Sequence, residues 1–248
     1  MVRRLLLRGM LAGVLAGLLA FGFARAFGEP PIESALTFEA QMDKMKGEMP
    51  EPELVSRATQ AGPGLFVAVV VYGAAAGGLF SLVFAFIYGR LGPLSPRSTA
   101  ALLAVAAFVS LVLVPALKYP ANPPAVGDPE TIGRRTALFF AMLAISVAAL
   151  VFAISLAKGF IARYGSWNAG LVGAAAYVAI VGIAGYALPS VNEVPEHFSA
   201  VVLWNFRIAS LGLQAVLWTA VGLLLGFLAQ HVLVQEQRGR PYRPGVQR

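Results

Sequence analysis

The sequence contains no cysteine, which excludes disulfides, thiolate metal sites and thiol nucleophiles. It is also poor in charge. Asp, Glu, Lys and Arg make up 12% of the 248 residues, about half of what soluble domains carry. With 58% hydrophobic residues and a mean hydropathy of +0.74, the chain lacks the polar shell that a soluble core of this size needs. Only two histidines are present, His197 and His231. Phosphate-binding loops, nucleophile–base pairs and metalloprotease motifs are absent, so the sequence does not read as an enzyme or as an ATP-driven pump.

The charges that remain are clustered. None lies between Arg57 and Arg90, Arg97 and Lys118, Arg135 and Lys158, Arg163 and Glu193, or Arg207 and Glu236. Each gap is long enough for one helix of about 20 residues to cross a bilayer. Open strands are excluded because lipid cannot satisfy their backbone polar groups. The expected fold is therefore an all-α, polytopic transmembrane bundle of about six helices. These are placed near 5–27, 65–87, 98–117, 136–157, 167–188 and 208–230, in a membrane domain spanning 1–235. The first helix has two readings. Gly9, Gly13 and Gly17 form one small face suited to helix packing, which favours a retained span. A basic start, a short apolar run and Ala24-Arg25-Ala26 also fit a cleaved signal segment, which would leave five helices.

Basic residues orient the chain. With a cytoplasmic N-terminus, the inner segments carry 11 basic residues and one acid, Glu236. The outer segments carry the other 8 basic residues and 11 acids. The resulting charges, +10 inside and −3 outside, sum to the overall +7. Both termini are expected in the cytoplasm, with a basic tail at 236–248 that is Gly/Pro-rich and expected to be disordered. The high pI reflects this asymmetry and not nucleic-acid binding; the bilayer is the expected partner.

Outer loops are expected at 28–63, 118–135 and 189–207. In the first, residues 32–46 can form a short surface helix ended by Pro50 and Pro52. The second, KYPANPPAVGDPETIGRR, is stiffened by its prolines. The second and third concentrate oxygen and imidazole donors: Asn122, Asp128 and Glu130 in one, Asn192, Glu193, Glu196 and His197 in the other. Such donors suit a hydrated divalent cation, and a solvated acidic loop gives the same composition. Arg135 and Arg207 open the helices that follow these loops, where each is expected to clamp its own loop's acids. Lys118 is a third structural charge and would oppose cation passage unless paired. No imidazole or carboxylate pair lies within a helix, so tightly bound metal is not expected.

An internal repeat accompanies these loops. Arg90-Leu91-Gly92 and Arg163-Tyr164-Gly165 are offset by 73, Pro115 and Pro189 by 74, and Arg135 and Arg207 by 72. The first two helices follow the same plan loosely, which gives three tandem hairpins of one topology; chance placement of Arg, Gly and Pro at helix ends is the competing explanation.

The segments RRLLLRGMLAGVLAGLLAFGFARAFGEP, LGPLSPR, KYPANPPAVGDPETIGRRTA, SVNEVPE and WNFRIASLG resemble the CbtA family of predicted cobalt transporter subunits. The resemblance runs from the first helix into the last. It implies a bacterial inner-membrane protein for cobalt uptake linked to cobalamin supply, with Co²⁺ as cargo. It also implies a small single-helix companion, CbtB-like, with a histidine-bearing terminus. Five helices are often assigned to the family, against the six expected here. The rival reading is a scaffold or assembly partner that does not itself transport. Metal identity, energy coupling, translocation path and oligomeric state are not encoded legibly.

Overall fold

A computed structural model describes residues 2–47, 54–90 and 92–238. Among them regular structure is helical throughout: α1 (Val2–Phe23), α2 (Glu29–Lys46), a single turn α3 (Arg57–Thr59), α4 (Leu65–Ile87), α5 (Pro96–Ala107), α6 (Val114–Lys118), α7 (Ile132–Ala187) and α8 (Ala200–Arg238). Three π-helical turns join some of these without interruption, at Ala24–Gly28, Gln60–Gly64 and Phe108–Leu113. Each has proline beside or within it. Pro30 and Pro31 follow the first, Pro63 lies inside the second and Pro115 follows the third. A proline removes the bond to the carbonyl four residues back and crowds it. A widened turn is one way for a helix to continue past that carbonyl.

Five continuous runs are long and apolar enough to cross a membrane: Val2–Lys46, Arg57–Ile87, Pro96–Lys118, Pro129–Ala187 and Ala200–His231. The fourth differs from the sequence expectation of two helices and reconciles with it at one residue. An unbroken α7 of 56 residues would be about 84 Å long, nearly three times the hydrocarbon thickness. Gly165 breaks it, with φ 76° and ψ 166°, a conformation that side chains rarely adopt. The arms then fold back antiparallel. Gly173 lies against the Ala153 carbonyl and the Ala157 methyl, and Ser146 and Tyr177 share a 2.8 Å hydroxyl hydrogen bond. The partner number falls as the residue number rises, as in a hairpin closed near Gly165.

Large apolar side chains such as Leu79, Phe86 and Ile183 are about two-thirds exposed, as expected where lipid is the solvent. Trp167 and Trp204 are also exposed, consistent with interfacial anchoring. Trp218 is buried against Phe80, so it packs on protein.

The chain divides into two compact units, one of Met1–Phe23, Val55–Ala106 and Ala215–Arg248, the other of Ala24–Leu54 and Ala107–Gln214. In the first, α1 and α4 pack antiparallel through glycine. Gly9, Gly13 and Gly17 face Gly77, Gly73 and the Val69–Val70 backbone. Without side chains between them, the two backbones come into direct contact, and dispersion rather than the hydrophobic effect holds them. In the same unit α8 packs on α5, with Gly222 against Ala104 and Gly226 against Ala100 and Arg97.

In the second unit α2 is longer than the surface helix expected at 32–46. It runs from Glu29 to Lys46 and ends at Gly47, whose φ of 73° forms a left-handed cap. Pro50 and Pro52, invoked from sequence as the terminators, lie outside the described residues. The helix buries Ala35 with Val126 and Phe198, and Phe38 meets the Phe198 ring edge-on at 5.1 Å. At the other end of the chain α8 continues to Arg238, beyond the expected limit at 230. The rest of the basic tail lies outside the described residues.

Candidate functional site

The loop after α6 and the loop after α7 meet within the second unit. Their first contacts are at their starts, where the Lys118 ammonium donates to Ser190 Oγ at 3.3 Å and the Tyr119 hydroxyl donates to the Pro189 carbonyl at 2.8 Å. Lys118 therefore has a hydroxyl partner and not an acid.

Glu193 is the hub. One carboxylate oxygen accepts from the Thr131 hydroxyl at 2.7 Å, the other from the Asp128 backbone N–H at 2.9 Å. Arg135 Nε lies 3.2 Å from that second oxygen. Its N–H is not aimed along a hydrogen bond, so the attraction is Coulombic. Hydrogen bonds from Thr131 and from the Asp128 backbone hold the Glu193 carboxyl below the usual carboxylate range, helped by the Arg135 and Arg134 charges and opposed by partial burial. The arrangement stabilises the ionised form in which Glu193 can hold both neighbours.

Local chemistry shapes the proline-rich loop to receive Glu193. Asp128 caps the 3₁₀ turn Pro129–Thr131 by accepting from the Glu130 N–H at 2.9 Å, which fixes the direction of its own backbone N–H. Gly127 sits at φ 124°, and any side chain there would collide with the Arg135 guanidinium. Ala125 is also left-handed, at φ 64°, in a loop whose prolines leave few other routes.

Arg207 completes the closure. Its Nη2 donates to Asn122 Oδ1 at 2.9 Å, and its Nε lies 3.4 Å from the Ala121 carbonyl. The expectation that each arginine clamps its own loop is corrected here. Arg135 does contact its own loop, at the Asp128 carbonyl, but its acid belongs to the other loop. Arg207 reaches no acid of its own loop and binds the amide of the other.

The crossing follows the internal repeat. Adding 72 to Arg135 gives Arg207, and adding 72 to Ala121 gives Glu193, so the two arginine contacts are counterparts. Lys118 plus 72 is Ser190, its own partner. The helix contacts obey the same rule: Ala100 and Gly226, which touch in one unit, map by 73 onto Gly173 and Ala153, which touch in the other. These contacts pair positions that the repeat relates, at offsets of 72 in the loops and 73 in the helices.

Of the seven proposed metal donors, the structure joins Asp128 to Glu193 and gives Asn122 to Arg207. Glu130, Asn192, Glu196 and His197 are exposed on the same two loops. Among the described residues, no group of three His, Asp or Glu side chains is arranged to hold a metal ion. His231 has its ring against Phe227. Sequence reasoning missed Thr131 and Ser190, whose hydroxyls had no distinguishing signal, and the packing of α2 beneath Phe198.

Residues 2–230 match the family described as a probable cobalt transporter subunit, CbtA. The chain belongs to the CbtA family. No curated protein and no solved structure matches it. The CbtA match spans α1 to α7, most of α8 and both clamped loops.

Proposed function

We propose that this CbtA chain is the membrane subunit of a cobalt uptake system that supplies cobalamin synthesis, with the cation received at the two clamped loops. The observation that carries the proposal is the Glu193-centred junction, where two donor-bearing loops are held together in a membrane protein of a cobalt transporter family. Glu193 serves as the latch, its oxygens already engaged. Asp128, Glu130, Asn192, Glu196 and His197 offer the accessible donors. Exposed oxygen and imidazole donors without a closed cage favour a hydrated ion that binds weakly and leaves readily. Nickel would satisfy the same donors, and cobalt is preferred on family grounds.

The proposed location is a bacterial inner membrane, with both termini cytoplasmic and the loops outside. A small single-helix companion of the CbtB type is the proposed partner, able to supply imidazoles that this chain lacks within its helices. The packing of α1 supports its retention, since cleavage after Ala26 would strip the glycine face of α4 of its partner. The intact mass of the membrane-extracted protein should accordingly correspond to the uncleaved chain. A mass lacking residues 1–26 would give five helices.

Topology is tested with single cysteines, which the Cys-free background permits. Cysteines at Glu196 and Arg163, both exposed, should react with an impermeant maleimide from opposite sides. Labelling from one side would refute the alternation of helices across the membrane. Function is tested by accumulation of radiolabelled cobalt in cells expressing the chain, with and without the companion. The combined change Glu130→Gln/Glu196→Gln should lower uptake several-fold at limiting metal with unchanged membrane abundance. Unaltered uptake would remove the loop site and move the ligands to the companion. No accumulation by either combination would favour the scaffold reading.

A further inference from the structure

One turn of α8, residues 227–231, collects cationic and aromatic groups from three helices of the first unit. From α1, Arg8 Nη1 donates to the Leu228 carbonyl at 2.6 Å. From the first turn of α5, the Arg97 guanidinium lies 5.4 Å from the centroid of the Phe227 ring. The same ring meets His231, 4.7 Å between centroids and tilted by 73°. Gly226 lets α5 approach closely enough for this, because a side chain there would press on the Arg97 backbone.

Among the described residues these cations have no acid. Among the described residues the contacts of Arg8 and Arg97 are a carbonyl and an aromatic face, neither of which neutralises charge. An arginine carries five donors, so most of the donors of both guanidinia are uncommitted. Unpaired charge at a membrane edge is costly. Here two guanidinia are brought to adjacent residues of one helix at the basic end of a membrane bundle. α5 adds its own start, where Ser95 caps the Ser98 N–H and the helix dipole favours an anion. Phe227 supplies an apolar wall below the charges, suited to an acyl chain.

We propose that Arg8 and Arg97, with His231 at the margin, form a headgroup site for an anionic phospholipid seated between α1, α5 and α8. The ligand chemistry is a phosphodiester attached to acyl chains: arginine forks match phosphate oxygens, and basic pockets between membrane helices hold such headgroups. The site depends neither on the metal reading nor on which face of the membrane bears it.

The test is native mass spectrometry of the full chain in mild detergent, titrated with phosphatidylglycerol, phosphatidylcholine or inorganic phosphate. Phosphatidylglycerol should bind in preference to phosphatidylcholine. Arg97→Gln should weaken it about fivefold, the effect expected of one basic residue near an anionic surface, and Arg8→Gln/Arg97→Gln should abolish the preference. Arg97 is exposed and donates no hydrogen bond among the described contacts, so its single variant keeps the test valid if the double variant does not fold. Lys158→Gln/Arg163→Gln, in α7 just before the break at Gly165, should leave the preference intact. Equal phosphatidylglycerol binding by Arg97→Gln, or an equal loss in the Lys158/Arg163 variant, would overturn the site. Occupancy by inorganic phosphate at the same concentration would overturn the assignment to lipid.

Discussion

Gly13→Leu should nearly abolish the folded protein in membranes. Gly13 meets the Gly73 carbonyl and the Ala74 Cα in α4, so a side chain there collides with backbone and not with a movable side chain. Overpacking in a core that can adjust costs about 1–3 kcal/mol. Here the helices must separate, and the dispersion contacts of Gly9, Gly17, Gly73 and Gly77 are lost with those of Gly13. Gly22, on the same helix, is the control: nothing lies within 4 Å of where its Cβ would stand, so Gly22→Leu should leave abundance unchanged. Membrane abundance and the detergent denaturation midpoint measure both. A stable Gly13→Leu protein would mean that α1 does not pack on α4 as described.

The second large effect concerns the crossed arginines. Arg135→Gln and Arg207→Gln should each be tolerated, because either leaves the other crossing in place. Together they should release the loops. The separation is measurable by pulsed electron resonance between spin labels at Glu130 and Glu196. A narrow distance distribution should persist in each single variant and broaden in the double variant by more than the two single effects combined, the signature of coupled sites. Additive behaviour would mean that the two contacts are independent. The same distance reports on pH. Because the Glu193 carboxyl is held below its ordinary range, its contribution is fully present above the ordinary value of about 4.3. It is lost as pH falls through the lower, folded value. In the Arg207→Gln variant, where Glu193 holds the remaining crossing, the loops should therefore stay joined from neutral pH to about pH 5 and part only under more acidic conditions. Parting near pH 6 would assign control to another group.

Helix positions were legible because exclusion of charge from lipid leaves a record in sequence. The gap between Arg57 and Arg90 placed a helix at 65–87, and α4 is Leu65–Ile87. The gap ending at Lys118 placed one at 98–117, against Pro96–Lys118 in the structure. Helix ends in the polar segments were less legible, since they depend on local caps: Gly47 stops α2, and nothing in composition favours it over the prolines beyond it. The loop junction was half legible. Arginine and acid content marked Arg135, Arg207 and Glu193, and stiff prolines marked the loop that receives them. Which loop each arginine reaches is a tertiary fact. The register offset contained it only once Arg135 and Glu193 were known to touch. Thr131 was invisible, because a threonine that orients a carboxylate has the same sequence appearance as one that merely starts a helix.

The torsion at Gly165 settles a question of parity. Counted by uninterrupted runs, the membrane segments are five, and an odd number sends the two ends of a chain to opposite faces. The reversal at Gly165 divides the fourth run into two antiparallel arms, so that run ends on the side where it began. It also decides where the loop after α7 emerges. With an even count between them, the segment beginning at Pro189 leaves on the face where Lys118 ends, and Lys118 and Ser190 can touch. A residue unable to hold φ near 76° at position 165 would therefore threaten more than a local turn. Without the reversal, the loop after α7 would leave on the face opposite Lys118, and the two clamped loops could not meet.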